Sequence, residues 1–271
     1  MSRLFIREAY LTIGTKQFNT RISFDIKKDD GSDPNKAKIS VYNLSPDSRA
    51  YIENTSEKMR LEAGYKGDVG IVFWGDIATK GIKHERNGGD IITTMQCGDG
   101  LYEIQNAHIE CSFKEGSTCQ QIVDAALAKI GLHLSVKSGD LSKQYINGKA
   151  FSGTVKKLLD QITEYCGLTW NTQNNSIQIY PKGASAVETV VLLKSTTGLI
   201  GLPSKTEKGM MARSLLNYRL IPGGKFKLET RDGENTGSGT YNVIRVRHFG
   251  DTMMGDYYTE VEGTVNAGVQ I

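Results

Sequence analysis

The stretch Phe18-Asn19-Thr20-Arg21-Ile22-Ser23-Phe24-Asp25-Ile26-Lys27 puts Phe18, Ile22, Phe24 and Ile26 on one side of an extended chain and Arg21, Asp25 and Lys27 on the other. Successive side chains of a strand point to opposite faces, so a chain written this way buries one face of a sheet and wets the other. After the loop Asp29-Asp30-Gly31-Ser32-Asp33-Pro34 the pattern returns from Ala37 to Leu44. Ser45-Pro46-Asp47 then supplies a helix cap and a proline suited to a first turn, predicting one short helix to about Asn54. Alternation resumes at Met59, Leu61, Ala63 and Tyr65, turns at Lys66-Gly67-Asp68, runs from Val69 to Lys83, and reverses at Asn87-Gly88-Gly89-Asp90 into Ile91 to Gln96. The chain up to about Asp99 therefore reads as an antiparallel sheet or barrel carrying one helix.

The period then changes. Ile122, Val123, Ala126, Leu127 and Ile130 recur at helical spacing until Gly131, and Val155, Leu158, Leu159 and Ile162 do the same until Gly167. At a constant offset Ile122 falls on Leu158, Val123 on Leu159, Ala126 on Ile162, Gly131 on Gly167, Leu132 on Leu168 and Leu134 on Trp170. We read a duplicated helix-strand unit whose second copy ends in a hairpin, Leu168 to Asn171 and Ser176 to Tyr180, across Gln173-Asn174-Asn175. Strand-like segments follow: Val187 to Leu193, Leu199 to Leu202 before Pro203, Ser214 to Tyr218, Lys225 to Thr230, Tyr241 to Phe249 and Tyr257 to Val265. Gly233 to Gly239 reads as a mobile loop. The order His84, Gly89-Asp90, strand, Gly98 is echoed by His248, Gly250-Asp251, strand, Gly263, as two related units flanking the helical part would require. At 271 residues, two or three small domains suit the length better than one undivided core.

Composition excludes more than it assigns. The 33 basic side chains nearly balance 30 acidic ones, and a net charge of +3 supplies no strong field for capturing nucleic acid or an anionic membrane. No apolar run approaches the roughly 20 residues of a membrane helix, and the first residues lack a secretion signal's apolar core. A soluble protein made inside the cell is expected. Cys97, Cys111, Cys119 and Cys166 lack the spacing that converges thiolates on zinc, and read as small buried or half-buried side chains. Asn54-Thr55-Ser56 and Asn174-Asn175-Ser176 match a glycosylation triplet that has no consequence without secretion.

Motifs that force catalytic groups together are missing: no phosphate loop, no His-Glu-x-x-His helix, no Gly-x-Ser-x-Gly elbow, no Gly-x-Gly-x-x-Gly after a strand. Pro222-Gly223-Gly224-Lys225 is followed by Phe226, which has no hydroxyl for a magnesium ion, and reads as a turn. His84, His108, His133 and His248 lie far apart and read as strand or rim residues. Glu103, Glu110, Asp124, Asp160 and Glu164 could supply an acid pair only if folding joined two of them. Alternation places Arg245 and Arg247 on one side together with Tyr241, Val243 and Phe249, an interface or barrel face rather than a single-strand binding surface. No catalytic, cofactor or metal residue is assigned.

The ordered combination of Ile39-Ser40-Val41-Tyr42-Asn43-Leu44-Ser45-Pro46, Leu61-Glu62-Ala63-Gly64-Tyr65 and Val72-Phe73-Trp74-Gly75-Asp76-Ile77 resembles the opening of contractile-tail bacteriophage baseplate hub proteins. The likeness continues through Phe113-Lys114-Glu115-Gly116-Ser117-Thr118, Gly167-Leu168-Thr169-Trp170 with Ile177-Gln178-Ile179-Tyr180-Pro181, and Tyr257-Tyr258-Thr259-Glu260-Val261-Glu262-Gly263. It implies an α+β, mostly β fold: two tail-tube-like antiparallel β-barrel domains, residues 1–110 and 183–271, flanking an α/β insert at 111–182. It also implies a non-enzymatic virion component, a homotrimer that joins the tail tube protein to the central spike protein, contacts other baseplate proteins and lines the route of genome ejection. Many hub proteins are longer, some with a lytic domain; no lytic motif is visible here. A hexameric adaptor ring is the near alternative, and a peptidoglycan-binding or hydrolysing module the distant one, drawn from the paired helix-strand units.

Overall fold

The computed structural model describes residues 3–100, 104, 106–230 and 237–265. The first part of the chain runs β1 (Arg3–Ile13), β2 (Lys16–Phe18), β3 (Ile22–Asp29), β4 (Lys36–Tyr42), α1 (Pro46–Asn54), β5 (Met59–Lys66), β6 (Asp68–Asn87) and β7 (Asp90–Gly98). Ser45 caps α1 by accepting from the Ser48 amide, with Pro46 in the first turn as the sequence requires. The apolar face read from alternation is buried: Ile22 and Ile26 are fully covered, Phe18 and Phe24 nearly so. One strand was expected across these residues, but Asn19 to Arg21 leave the ladder and divide it into β2 and β3.

The middle of the chain gives β8 (His108–Phe113), β9 (Ser117–Thr118), α2 (Cys119–Ile130), β10 (Leu134–Lys137), β11 (Gln144–Tyr145), β12 (Lys149–Thr154), α3 (Val155–Tyr165), β13 (Leu168–Gln173) and β14 (Ser176–Pro181). Thr118 and Gln121 form a capping box at the start of α2, and Gly131 ends it with a left-handed φ of 67°. Thr154 caps α3 by accepting from the Lys157 amide, and Gly167, with φ 71°, follows the helix. The strands after the two helices share one sheet, in the order β10-β14-β13. Ile122, Leu158, Leu159, Trp170, Ile177 and Ile179 belong to one core that is separate from the cores of the flanking parts.

The last part contributes β15 (Val190–Lys194), β16 (Leu199–Thr206), β17 (Gly209–Leu215), β18 (Lys225–Glu229), β19 (Gly239–Asp251) and β20 (Tyr257–Thr264). Two of these strands, β16 and β17, differ most from expectation. β16 continues through Pro203, tolerated because β17 is its one neighbour among the described residues and a bulge between Ile200 and Ser204 absorbs the missing amide. β17 starts earlier and stops at Leu215, where Asn217 makes a turn by accepting from the Arg219 amide at 3.1 Å. The loop read at Gly233 to Gly239 falls largely outside the described residues.

Two tube-like antiparallel β-barrel domains were expected; the first and last parts share one open 13-stranded sheet in the order β16-β17-β20-β19-β3-β4-β7-β6-β5-β1-β2, with β18 branching from β19 and β15 pairing with β18. Its two halves join where β3 pairs antiparallel with β19, from Ser23↔Asp251 to Asp29↔Arg245. The reason is the length of β19: its first residues pair with β18 and the rest run on to meet β3. Among the described residues no sheet closes on itself.

Candidate interaction surfaces

The residues singled out for possible chemistry are not brought together. His108 and His133 are exposed at the edge of the insert. His84 Nδ1 lies 3.0 Å from Thr93 Oγ1 and its Nε2 2.8 Å from Glu53. His248 is fully buried, with Nδ1 2.9 Å from Thr259 Oγ1, and burial together with the nearby Lys28 ammonium lowers its pKa to about 3. Asp160 accepts from the Trp170 indole at 2.8 Å, Asp124 from Gln120 at 2.6 Å and Glu110 from Ser152 at 3.3 Å, while Glu103 lies outside the described residues. Cys97 and Cys119 are buried, and Cys111 and Cys166 half-buried.

The densest polar chemistry lies where the insert meets the large sheet. The β13–β14 hairpin turns at Asn174 and Asn175, both with positive φ (50° and 61°), a conformation that asparagine tolerates better than most residues. This turn reaches two lysines. Lys28 Nζ donates to Asn174 Oδ1 at 2.6 Å, and Lys58 Nζ donates to Asn175 Oδ1 at 2.8 Å and to Asp76 at 3.0 Å. Asp99, fully buried at the end of β7, accepts from the Asn35 amide at 2.7 Å, Asn35 Nδ2 at 2.9 Å and the Asn174 amide at 3.2 Å. Asn35 Nδ2 also donates to Thr172 O at 2.6 Å, and Gln173 Nε2 donates to Asp29 O at 3.1 Å.

Burial penalises both charges in this junction. It pushes the Asp99 carboxyl up to about 6, against the pull of the Asn35 hydrogen bonds and of Lys28, and it brings the Lys28 ammonium down to about 8, against the attraction of Asp99. The arrangement fixes the insert on the sheet by directional bonds rather than by an apolar contact. Sequence reasoning missed it, although one signal was available: Lys28 occupies the inward parity of Ile22, Phe24 and Ile26 on β3. A cation at an inward position needs a buried partner.

A second feature crosses the seam between the halves. On the outer face Asp25 of β3 receives a two-pronged bond from Arg247 of β19 (2.9 Å twice), Arg247 lies 3.5 Å from Glu260 of β20, and Glu260 meets Arg213 of β17 at 2.6 Å. The Arg247 guanidinium holds the Asp25 carboxyl below the usual range. Beside this ladder runs an open groove of about 510 Å³ lined by Lys27, Lys36, Arg245 and Glu262 among others. The expectation for this strand is corrected here. Tyr241 and Val243 are buried in the core while Arg245, Arg247 and Phe249 lie on the opposite face, because a bulge between Val243 and Arg245 shifts the alternation by one residue.

Tyr257 fills the third junction, between the start of the chain and its last hairpin. Its hydroxyl donates to Glu8 O at 2.7 Å and accepts from the Gly64 amide at 3.2 Å. Its ring meets Phe24 and Tyr65 edge-on, and the Arg7 guanidinium lies 5.2 Å above it while donating to Asp251 O and Gly255 O. None of the three junctions presents a nucleophile, a general base and an open cleft together. They hold parts of a scaffold in register.

Comparison with known proteins agrees with a scaffold. The family model described as Baseplate hub gp41 matches residues 10–247. The tail protein from Neisseria meningitidis MC58 has a similar fold (TM-score 0.66, 11% identity, 95% of this chain and 96% of that one). So do the 43 kDa tail protein of prophage MuSo2 from Shewanella oneidensis (0.65, 10%, 96% and 98%) and the E. coli c3393 protein (0.63, 12%, 95% and 77%). The last is described as a component of the type VI secretion system with structural similarity to the T4 bacteriophage tail proteins gp27 and gp5. No curated protein matches the chain in sequence. At such low identity the structural matches speak for the fold, and the family match for the class of protein.

Proposed function

This chain belongs to the baseplate hub gp41 family, a structural component of a phage tail baseplate, and we propose that it forms the hub ring between tail tube and central spike. One observation carries the reading: a single sheet runs through both flanking parts and, among the described residues, ends without closing, so its pairing capacity is left open at its edges. Open strand edges on a protein of this size need neighbours or protection. A closed ring of sister copies can supply such neighbours to every copy alike.

In this reading residues 1–110 and 183–271 are two tube-like units, and 111–182 is a module that decorates them. Three copies then present six such units, matching a sixfold tube on one side while the assembly keeps threefold symmetry for a spike on the other. The Asp25, Arg247, Glu260 and Arg213 ladder on the outer face pairs its own charges internally. Such a surface gives a passing polyanion little to adhere to, which suits the wall of an ejection channel. The role is mechanical and needs no catalytic group.

The test is assembly. Native mass measurement and negative-stain images of the purified chain, alone and mixed with its own phage's tube and spike proteins, should show a trimeric ring that binds both. Six subunits per ring would replace this reading with that of a tube-end adaptor. A monomer at high concentration with affinity for neither protein would overturn it.

A further inference from the structure

We propose that copies join by strand addition, with β16 of one copy pairing antiparallel with the distal part of β6 of the next; this rests on the ring reading above and names its contact. The argument starts from a duplication in the strand order. In the first part the neighbours are β5-β6-β7-β4-β3, and in the last part they are β18-β19-β20-β17-β16. Both follow the same chain path: a hairpin (β3–β4, β16–β17), a longer connection, then two further hairpins. β1 and β15 take matching places outside β5 and β18, although β15 runs parallel to its neighbour.

Register landmarks make the correspondence residue by residue. His84 sits opposite Thr93 on the β6–β7 hairpin, and His248 sits opposite Thr259 on β19–β20, each with an Nδ1–Oγ1 contact (3.0 and 2.9 Å). Beyond these pairs both long strands bulge, between Ile77 and Ile82 and between Val243 and Arg245, next to Cys97 and Gly263 on the partner strands. Cys97 and Gly263 stand equally far beyond Thr93 and Thr259, so the glycine echo read from the sequence is out of step by one position.

One difference separates the halves, and it identifies the contact. Past its bulge, β19 has β20 on one side and β3 on the other, from Arg245 to Asp251. The corresponding part of β6, Ile82 to Asn87, has β7 on one side and, among the described residues, no strand on the other. The counterpart of β3 is β16, which has β17 on one side and again no strand on the other. Each copy therefore makes one seam internally and carries the two complementary edges of a second seam that it cannot make alone. Heterologous edges of this kind build a ring of repeating seams when the rotation from copy to copy closes.

The internal seam predicts the register of the external one. Arg247↔Lys27, His248↔Ile26 and Phe249↔Asp25 translate into Lys83↔Thr206, His84↔Lys205 and Glu85↔Ser204. The local chemistry fits. Ser204 and Lys205 are exposed, and Lys205 would arrive beside His84, whose Nε2 already holds the half-exposed carboxylate of Glu53. Leu202, 75% exposed, and Met211, 38% exposed, lie on or beside the same edge and would be covered. Pro203 and the bulge around it interrupt the edge, which limits indiscriminate pairing while leaving Ser204 to Thr206 regular.

The experiment uses the full chain with Glu85→Cys and Ser204→Cys together. Mild oxidation should give covalent dimers and a closed covalent ring, whereas each single variant, and Glu85→Cys combined with Glu229→Cys, should not. A second measurement avoids dependence on disulfide geometry: Lys205→Glu should weaken association about tenfold or more through repulsion by Glu53, and adding Glu53→Lys should restore it. Rings that form normally yet neither cross-link nor respond to the charge swap would overturn this seam while sparing the ring reading. A wild-type chain that never oligomerises, even with tube and spike proteins present, would overturn both.

Discussion

Asp99→Asn isolates the buried carboxyl that anchors the insert. In the folded protein Asp99 holds its proton up to about pH 6, against 3.8 for an ordinary aspartate, so the native state binds more protons than the unfolded chain between those values. The sign follows. The favourable contribution of the protonated group is fully present below pH 4 and is lost as pH rises through about 6. At about 1.4 kcal/mol for each tenfold change in proton affinity, the interval amounts to roughly 3 kcal/mol, undiscounted because the group is fully buried. Asparagine is uncharged at every pH, and it offers one acceptor oxygen to three donors, from Asn35 N, Asn35 Nδ2 and Asn174 N. Its absolute stability mixes relief of the buried charge with stranded donors, but the pH dependence separates them. Urea unfolding at intervals from pH 7.5 to 4 should show the wild type gaining about 2 kcal/mol, most of that interval, relative to Asp99→Asn on acidification. A flat difference, or one that shrinks with acid, would mean that Asn35 and Lys28 stabilise the carboxylate more than burial penalises it, and the reasoning fails.

Lys28→Met should move that acid-side gain to higher pH, since Asp99 loses the cation that opposes its burial; the same urea series on the variant reads it. Tyr257→Phe deprives the buried Gly64 amide and Glu8 carbonyl of their shared hydroxyl and should cost about 2–3 kcal/mol in denaturant unfolding, with new amide exchange in β1 and β5. Gly64→Ala should cost at least about 3 kcal/mol or prevent folding, because a Cβ there would lie 2.2 Å from the Asp68 carbonyl oxygen across the β5–β6 hairpin; thermal unfolding reads the loss.

How much of this could be read in advance depended on the range of the interaction. Local rules were enough for helix ends: Ser45 with Pro46 and the glycines at 131 and 167 fall where cap chemistry requires them. They were enough also for the hairpin at Asn87 and Asp90, where two glycines supply the reversal. They failed at Ile244, where one extra residue inverted the facing of every side chain before it, since a bulge leaves no mark in composition. They failed as well at Pro203, because whether a proline is tolerated depends on whether a strand lies at a sheet edge. The pairing of β3 with β19 joins residues more than 200 positions apart and is decided by the shape of both halves together. The polar junction was half legible: Lys28 at an inward position announces a buried cation, but nothing local points to Asn174 as its partner.

The position of that junction gives the insert a mechanical meaning. Lys28 lies on β3 in the seam, opposite Val246 of β19, and its ammonium ends on the insert's turn at Asn174. The neighbouring residue of the turn, Asn175, is held by Lys58 together with Asp76, and Asp76 belongs to β6 just before the stretch with no second neighbour. One two-residue turn thus bonds directly to the strand that makes the internal seam and, through Lys58, is linked to the strand whose distal edge is open. Its bonds are directional and part-buried, so a displacement of the insert cannot be absorbed by sliding along an apolar face. It must either break hydrogen bonds to charged groups, at about 1.5–3 kcal/mol each, or move β3 and β6 with it. A partner that pushes on the insert therefore acts on both seams of the sheet through the same turn.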